Sequence, residues 1–246
     1  MISISIVSHM QMNLVINLLD DIERVCKLEK IEVILTLNVG ESLDLLKYSF
    51  PLSVIKNNRP KGFGENHNQA FKSAKGSFFC VMNPDIRLTD NPFLPLVRCL
   101  TEGVDVGVVA PVILNDSGLI EDSARLFPSP VSIFSKVISK LFRKSALSRP
   151  VSNKSYEWIG GMFMLFKVDT YSMVNGFDER YFMYYEDVDI CARLTSMGKL
   201  IVLCEESSAI HLAQRASHRS LRHLRWHIIS MLRFFLSSAY WRVLWR

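Results

Sequence analysis

Five short apolar runs, separated by stretches with helical spacing, fill the first half of the chain. Ile2, Ile4 and Ile6 alternate with Ser3 and Ser5, and runs follow at Ile31 to Leu37, Leu52 to Ile55, Ser77 to Met82 and Val106 to Leu114. Between them Leu14, Leu18, Leu19, Ile22, Val25 and Cys26 recur at helical intervals, and Leu43 to Tyr48, Asn66 to Ala74 and Pro92 to Leu100 also read as helices. Parallel neighbours need a crossover, so strict strand–helix alternation predicts a mostly parallel sheet. The expected class is α/β, doubly wound, with helices on both faces. In such a sheet ligands bind beyond the carboxyl ends of the strands.

The second half is less regular. Met162 to Val168 reads as a strand, Asp187 to Met197 as a helix stopped by Gly198, and Lys199 to Cys204 as a strand. Arg219 to Tyr240 reads as one long terminal helix. With 246 residues, 49% hydrophobic and 22% charged, a disordered chain is excluded. The expected division is one domain over 1–212, with a basic amphipathic insertion about 125–156, and a helical tail over 213–246. No run of 18 uncharged apolar residues occurs, so no membrane-spanning helix is expected. Neither is a secretory leader, since Met1 to Val7 lacks a basic start and a cleavage site.

Charge is segregated. The net charge is +5, yet the stretch after Glu206 holds seven arginines and no acid. The remainder is therefore slightly acidic. Ser123 to Tyr156 is also free of acids and carries Arg125, Lys136, Lys140, Arg143, Lys144, Arg149 and Lys154. In the tail Leu224, Ile228, Met231, Leu232, Phe235 and Leu236 keep helical spacing, with Trp226, Trp241 and Trp245 beside them. A basic amphipathic helix with aromatics suits an anionic membrane surface. A helix packed on the domain with a solvated basic face has the same pattern. Nucleic acid is not an expected partner, because the body is acidic. The five cysteines lie in apolar runs without a Cys-x-x-Cys pair, so reduced core thiols are expected and a structural zinc is not.

Four segments can carry chemistry. Pro60-Lys61-Gly62-Phe63-Gly64-Glu65-Asn66-His67-Asn68 joins a strand to a helix, where glycines permit close approach and a helix start offers N–H groups to an anion. An ordinary turn explains the same glycines. Asn83-Pro84-Asp85 follows a buried strand directly. A carboxylate there can hold a divalent cation against phosphates, though the triplet is also turn chemistry. Trp158-Ile159-Gly160-Gly161 leads into a strand, marking a bulge or a close approach. Tyr181-Phe182-Met183-Tyr184-Tyr185 leads into Glu186, Asp187 and Asp189. Acids at a helix start suit its dipole, and a carboxylate between aromatic walls is also a credible general base. His211 follows a strand and reads equally as a ligand or a bystander. His218, His223 and His227 read as surface residues.

In this order and spacing the segments resemble the family 2 glycosyltransferases, inverting enzymes with a GT-A fold. Asn-Pro-Asp, the aromatic-Glu-Asp run and Ile210-His211 are similar to bacterial rhamnosyltransferases of O-antigen and cell-wall assembly. The resemblance runs from Ile4 to about Ser220. It implies that Ser8 and Asn38 line a nucleotide pocket, and that Gly62, Phe63, Gly64 and Asn68 shape the donor loop. It implies Asn83 and Asp85 at the nucleotide sugar, with Asp85 and His211 as ligands of Mg2+ or Mn2+. Glu186 and Asp187 would lie over the acceptor, with Asp187 as base, and Trp158, Gly160, Gly161 and Tyr185 would contact it. The implied donor is dTDP-L-rhamnose and the implied acceptor a saccharide on a polyprenyl diphosphate. The implied location is cytoplasmic, peripheral on the inner face of the bacterial membrane. Asn83-Pro84-Asp85 stands where the family usually has Asp-x-Asp, and Lys61 where asparagine often precedes Gly-Phe-Gly. A nucleotidyltransferase on a similar sheet would need a phosphate loop after the first strand, where this chain has Ser8-His9-Met10-Gln11.

Overall fold

The computed structural model describes residues 1–41, 48–130, 156–212 and 221–245. Its strands are β1 (Ile2–Ser8), β2 (Ile31–Leu37), β3 (Leu52–Lys56), β4 (Phe78–Met82), β5 (Ile86–Arg87), β6 (Val106–Leu114), β7 (Ala124–Arg125), β8 (Trp158–Ile159), β9 (Phe163–Lys167) and β10 (Leu200–His211). Its helices are α1 (Met12–Val25), α2 (Phe63–Phe71), α3 (Phe93–Glu102), α4 (Val168–Met173), α5 (Glu186–Ser196), α6 (Leu221–Phe235) and α7 (Ser238–Leu244).

Eight strands form one sheet in the order β3-β2-β1-β4-β9-β6-β10-β5, and β7 pairs with β8 apart from it. β1 runs parallel to β2 and β4, and β6 parallel to β10. β9 is antiparallel to both β4 and β6, and β5 is antiparallel to β10. The mostly parallel sheet is as expected; the inserted β9 has no signature in the strand–helix alternation.

Helices cover both faces. Ile2, Ile4 and Ile6 face α1 and α3 in one core, with Cys80 and Met82 of β4. Phe79 and Val81, pointing the other way, pack with Tyr171 of α4 and Ile190, Cys191 and Leu194 of α5. The isoleucine–serine alternation of β1 suggests one wet face, yet both faces are buried. The Ser3 hydroxyl donates to Glu32 at 2.6 Å, and Ser5 Oγ lies 2.8 Å from His67 Nδ1.

Two expected elements differ. The strand expected to end at Cys204 continues to His211 through a register shift between Cys204 and Ser208. The polar Glu205-Glu206-Ser207 sits in that irregularity and reads as a loop. The single terminal helix is two, because Ser237 caps α7 by accepting the Tyr240 N–H at 3.2 Å. All but Tyr48 of the helix expected over Leu43 to Tyr48, and residues 131–155 of the basic insertion expected about 125–156, lie outside the described residues.

The topology gathers one edge. β1, β2 and β4 are parallel and in register, so Ser8, Asn38 and Asn83 lie at neighbouring carboxyl ends. Because β9 is antiparallel, its first residue Phe163 pairs with Met82, the last of β4. Gly160 and Gly161 thereby reach the same edge. β10 ends there too, with His211 opposite Ile86 and the Leu212 N–H donating to the Asp85 carbonyl at 2.9 Å.

Candidate active site

The Gly62-Phe63-Gly64 motif is a helix start rather than a loop, with Gly62 as the N-cap of α2. Its glycines are required by the chain itself. A Cβ on Gly62 would lie 2.8 Å from the Phe182 carbonyl oxygen, and one on Gly64 would lie 2.6 Å from Phe177 Cβ. The Phe63 N–H donates to the Phe182 carbonyl at 2.9 Å. Asn68 completes the seam: its Nδ2 donates to the Phe177 carbonyl at 2.8 Å, and its Oδ1 accepts from the Phe177 N–H at 2.9 Å and the Tyr171 hydroxyl at 2.7 Å. The glycine motif and the aromatic segment are thus one packed unit.

Asn38 latches the neighbouring loop. Its Oδ1 accepts from the Lys61 N–H at 2.8 Å and from Asn57 Nδ2 at 3.0 Å. Lys61 is committed to Gln69 at 2.6 Å and Glu65 at 3.4 Å. Ser8 is buried, and its Oγ accepts from the Gln11 N–H at 3.3 Å. His67, beneath this floor, is held neutral by burial, its pKa lowered to about 3.

Asp85 and His211 meet. His211 Nε2 lies 3.3 Å from Asp85 Oδ2, and Nδ1 lies 2.9 Å from Glu121 Oε2. Burial alone would lower the imidazole pKa; hydrogen bonds to Asp85 and Glu121 outweigh it and raise the pKa to about 9. Asp85 Oδ1 is buried without a hydrogen-bond partner among the described residues. As it stands the contact is a hydrogen bond between imidazole and carboxylate; a divalent cation held here would replace the proton on Nε2, with the orphaned Oδ1 as a further donor. Glu121, on the far nitrogen, fits the carboxylate that orients a ligating histidine. Among the described residues no group of three such side chains converges on one point. That suits an ion whose shell is completed by phosphates and water. Glu121 escaped the sequence reading because it sits in irregular chain after a turn, with no periodicity to mark it.

The three acids of α5 separate. Asp189 is paired with Arg193 at 2.7 Å and belongs to the core. Asp187 Oδ2 accepts the Gly161 N–H at 3.1 Å, and Oδ1 accepts the Val188 N–H at 2.8 Å. Burial raises the Asp187 pKa, and these N–H groups oppose the rise. Glu186 is raised well above the usual carboxylate range by burial and by Asp187, and its Oε2 has no partner. A Cβ on Gly161 would lie 3.2 Å from the Phe63 ring and 3.6 Å from Asp187 Cβ. The glycine therefore lets the strand pass between them. The Met162 carbonyl accepts the Asn83 N–H at 2.9 Å. A short run of contacts thus links Asp187, through Gly161 and Met162, to Asn83 and Asp85.

Trp158 donates from its indole to the Leu126 carbonyl at 3.0 Å, and Arg125 lies over its ring at 5.6 Å. A Cβ on Gly160 would meet the Met162 methyl at 2.7 Å. Tyr185 turns inward, 5.4 Å from the His227 ring and 5.8 Å from Phe234. Tyr184 and Tyr185 both have positive φ, 70° and 67°. Two successive left-handed non-glycine residues are strained, and α6 holds them. The Tyr184 hydroxyl lies 2.9 Å from His223 Nδ1, Ser230 Oγ donates to the Met183 carbonyl at 2.9 Å, and the Phe182 and Trp226 rings pack tilted with centroids 4.7 Å apart. His223 and His227, expected as surface residues, lie at the surface and also contact this segment.

The family model described as Glycosyl transferase family 2 matches residues 3–170, and one described as the N-terminal domain of galactosyltransferase matches residues 143–218. The chain is 29% identical over 185 residues to the rhamnosyltransferase WbbL of Escherichia coli K12, covering 70% of this chain and 69% of that protein. It is 27% identical over 192 residues to the N-acetylglucosaminyl-diphospho-decaprenol L-rhamnosyltransferase of Mycobacterium tuberculosis H37Rv, covering 73% of this chain and 62% of that protein. The fold is shared with GalNAc-T7, crystallised with UDP, GalNAc and Mn2+, at a TM-score of 0.66 and 14% identity, over 94% of this chain and 47% of that one.

Proposed function

The chain belongs to glycosyl transferase family 2, and from that premise we propose that it transfers L-rhamnose, with inversion, from dTDP-L-rhamnose to a saccharide carried on a polyprenyl diphosphate. The observation that carries this reading is the contact run from Asp187 through Gly161 and Met162 to Asn83 and Asp85. On this reading it brings the Asp187 carboxylate, held by backbone N–H groups, and the proposed metal ligands Asp85 and His211 to one sheet edge. The named relatives supply the sugar and the kind of acceptor.

Asp85 and His211 would hold Mg2+ or Mn2+, which neutralises charge on the leaving nucleotide diphosphate when bound. Ser8, Asn38 and the N-terminal end of α2 border the donor side. Asp187 accepts the proton of the acceptor hydroxyl as that oxygen bonds the anomeric carbon and the bond to the diphosphate breaks. General-base help of this kind contributes roughly 10²–10⁴ in rate. Burial raises the basicity of the Asp187 carboxylate, and the Gly161 and Val188 N–H groups, which oppose that rise, fix its orientation. One displacement inverts the centre, so a β-linked donor gives an α-rhamnoside.

The protein acts, on this reading, at the inner face of the bacterial cytoplasmic membrane. Among the described residues no helix is long and apolar enough to span a bilayer. α6 and α7 leave Leu224, Leu236, Trp241, Leu244 and Trp245 exposed on a tail without acids, which suits an anionic interface. The test is transfer by the purified full chain from a panel of nucleotide sugars to a polyprenyl-diphosphate N-acetylglucosamine, with Mg2+, Mn2+ or EDTA. Transfer from dTDP-L-rhamnose, lost in EDTA, is expected. Transfer only from another nucleotide sugar would overturn the donor.

A further inference from the structure

Leu221, Arg222, Arg225, Trp226 and Ile229 line an open groove of about 520 Å³ on α6. Its composition is unusual for a helix surface. Arg222 and Arg225 are about one turn apart on the helix, beside Trp226 and between Leu221 and Ile229. Arg222 lies over the Trp226 ring at 5.8 Å. No carboxylate among the described residues pairs with Arg222 or Arg225, and no acid follows Glu206 in the sequence. Leu221 is 84% exposed and Ile229 41% exposed. The groove thus offers unneutralised positive charge and uncovered apolar surface side by side.

Its position matters as much. The Trp226 ring packs at a tilt against Phe182, centroids 4.7 Å apart, and the Phe182 carbonyl accepts the Phe63 N–H at 2.9 Å. Phe63 packs against Gly161, which holds Asp187. The groove is therefore continuous with the segment that carries the catalytic carboxylate.

We propose that this groove binds the diphosphate and first isoprene units of the lipid-linked acceptor, with Arg222 and Arg225 on the phosphates and Leu221, Trp226 and Ile229 against the hydrocarbon. The proposal rests on the rhamnosyl-transfer reading for the identity of the acceptor. Charge complementarity selects the occupant. Paired guanidinium forks match adjacent phosphates with bidentate geometry, and the neighbouring apolar wall would be wasted on a soluble anion. The more distal exposed residues, Leu236, Trp241, Leu244 and Trp245, lie outside the groove and are left for the membrane surface.

The test uses the full chain and farnesyl diphosphate as probe, with EDTA present to suppress diphosphate binding at Asp85 and His211. Calorimetric binding is compared with farnesol, inorganic diphosphate and phosphatidylglycerol vesicles. Farnesyl diphosphate is expected to bind at least tenfold tighter than farnesol or inorganic diphosphate. The double variant R222A/R225A is expected to weaken it by about tenfold or more, the scale of lost charged hydrogen bonds. Arg242→Ala, on α7 outside the groove, controls for bulk charge and should not change it. In the transfer assay the double variant should raise KM for the lipid-diphosphate acceptor far more than KM for dTDP-L-rhamnose. Unaltered farnesyl diphosphate binding by R222A/R225A overturns the proposal, as does loss confined to vesicle binding, which would make the groove a membrane patch. Groove binding without sugar transfer would sink the catalytic reading and keep the site. Transfer to the lipid acceptor that is indifferent to R222A/R225A would do the reverse.

Discussion

His211 Nε2 stands 3.3 Å from Asp85 Oδ2 although one residue ends β10 and the other follows β4. The relationship exists because β5 turns back antiparallel to β10 and pairs Ile86 with His211. Asp85→Asn and His211→Ala should each abolish Mn2+ binding, read as free Mn2+ by electron paramagnetic resonance. Glu121→Gln should weaken it by about 10–100-fold, the usual effect of losing a carboxylate behind a ligating histidine. Full Mn2+ affinity in His211→Ala would remove the imidazole from the site.

Glu186 and Asp187 are adjacent but not equivalent. Burial raises both pKa values; Asp187 pushes Glu186 further up, whereas the Gly161 and Val188 N–H groups oppose the rise at Asp187. Glu186→Gln keeps the neutral shape and should hold kcat within about tenfold. Asp187→Asn removes the base and should cost roughly 10²–10⁴. Equal losses in the two variants, both still folded by thermal melt, would contradict the division of roles.

Asn68 and Gly64 are expected to report in stability rather than in donor binding. Asn68→Ala strips partners from the Phe177 backbone and Tyr171 and should cost about 1–3 kcal/mol. Gly64→Ala forces a methyl to 2.6 Å from Phe177 Cβ, and such overpacking costs about 1–3 kcal/mol. Urea midpoints measure both. In each variant KM for the nucleotide sugar should stay near the wild-type value once the protein is folded.

His67 links stability to acid. Its folded pKa, about 3, lies below the ordinary 6.5, so the unfolded chain takes up a proton first as pH falls. The contribution is complete above pH 6.5 and is lost progressively down to about 3, at up to about 1.4 kcal/mol per pH unit. Urea unfolding of wild type and His67→Gln between pH 7.5 and 5 should show a shallower acid loss in the variant. Parallel curves would mean that His67 takes up its proton at the same pH folded and unfolded.

Much of this was legible in the residues. The strand–helix alternation predicts the parallel sheet, because apolar period and crossover length are local properties. Asp85 and His211, which the family resemblance names as metal ligands, stand 3.3 Å apart. What escaped depends on tertiary pairing. β9 enters the sheet antiparallel and carries Gly161 to Asp187. Glu121 has no local pattern, and Ser237 breaks the tail with a cap that a continuous apolar stripe conceals. Gly62 and Gly64 look made for a ligand, yet the backbone they admit is that of residues 177 to 182.

The central claim is tested most directly by following the anomeric configuration of the product. The full chain is incubated with dTDP-L-rhamnose, Mg2+ and polyprenyl-diphosphate N-acetylglucosamine, and the new linkage is assigned by nuclear magnetic resonance in wild type and Asp187→Asn. The account predicts an α-rhamnoside from wild type and a rate roughly 10²–10⁴ lower in the folded variant. A β-linked product, or full turnover by Asp187→Asn, would contradict it.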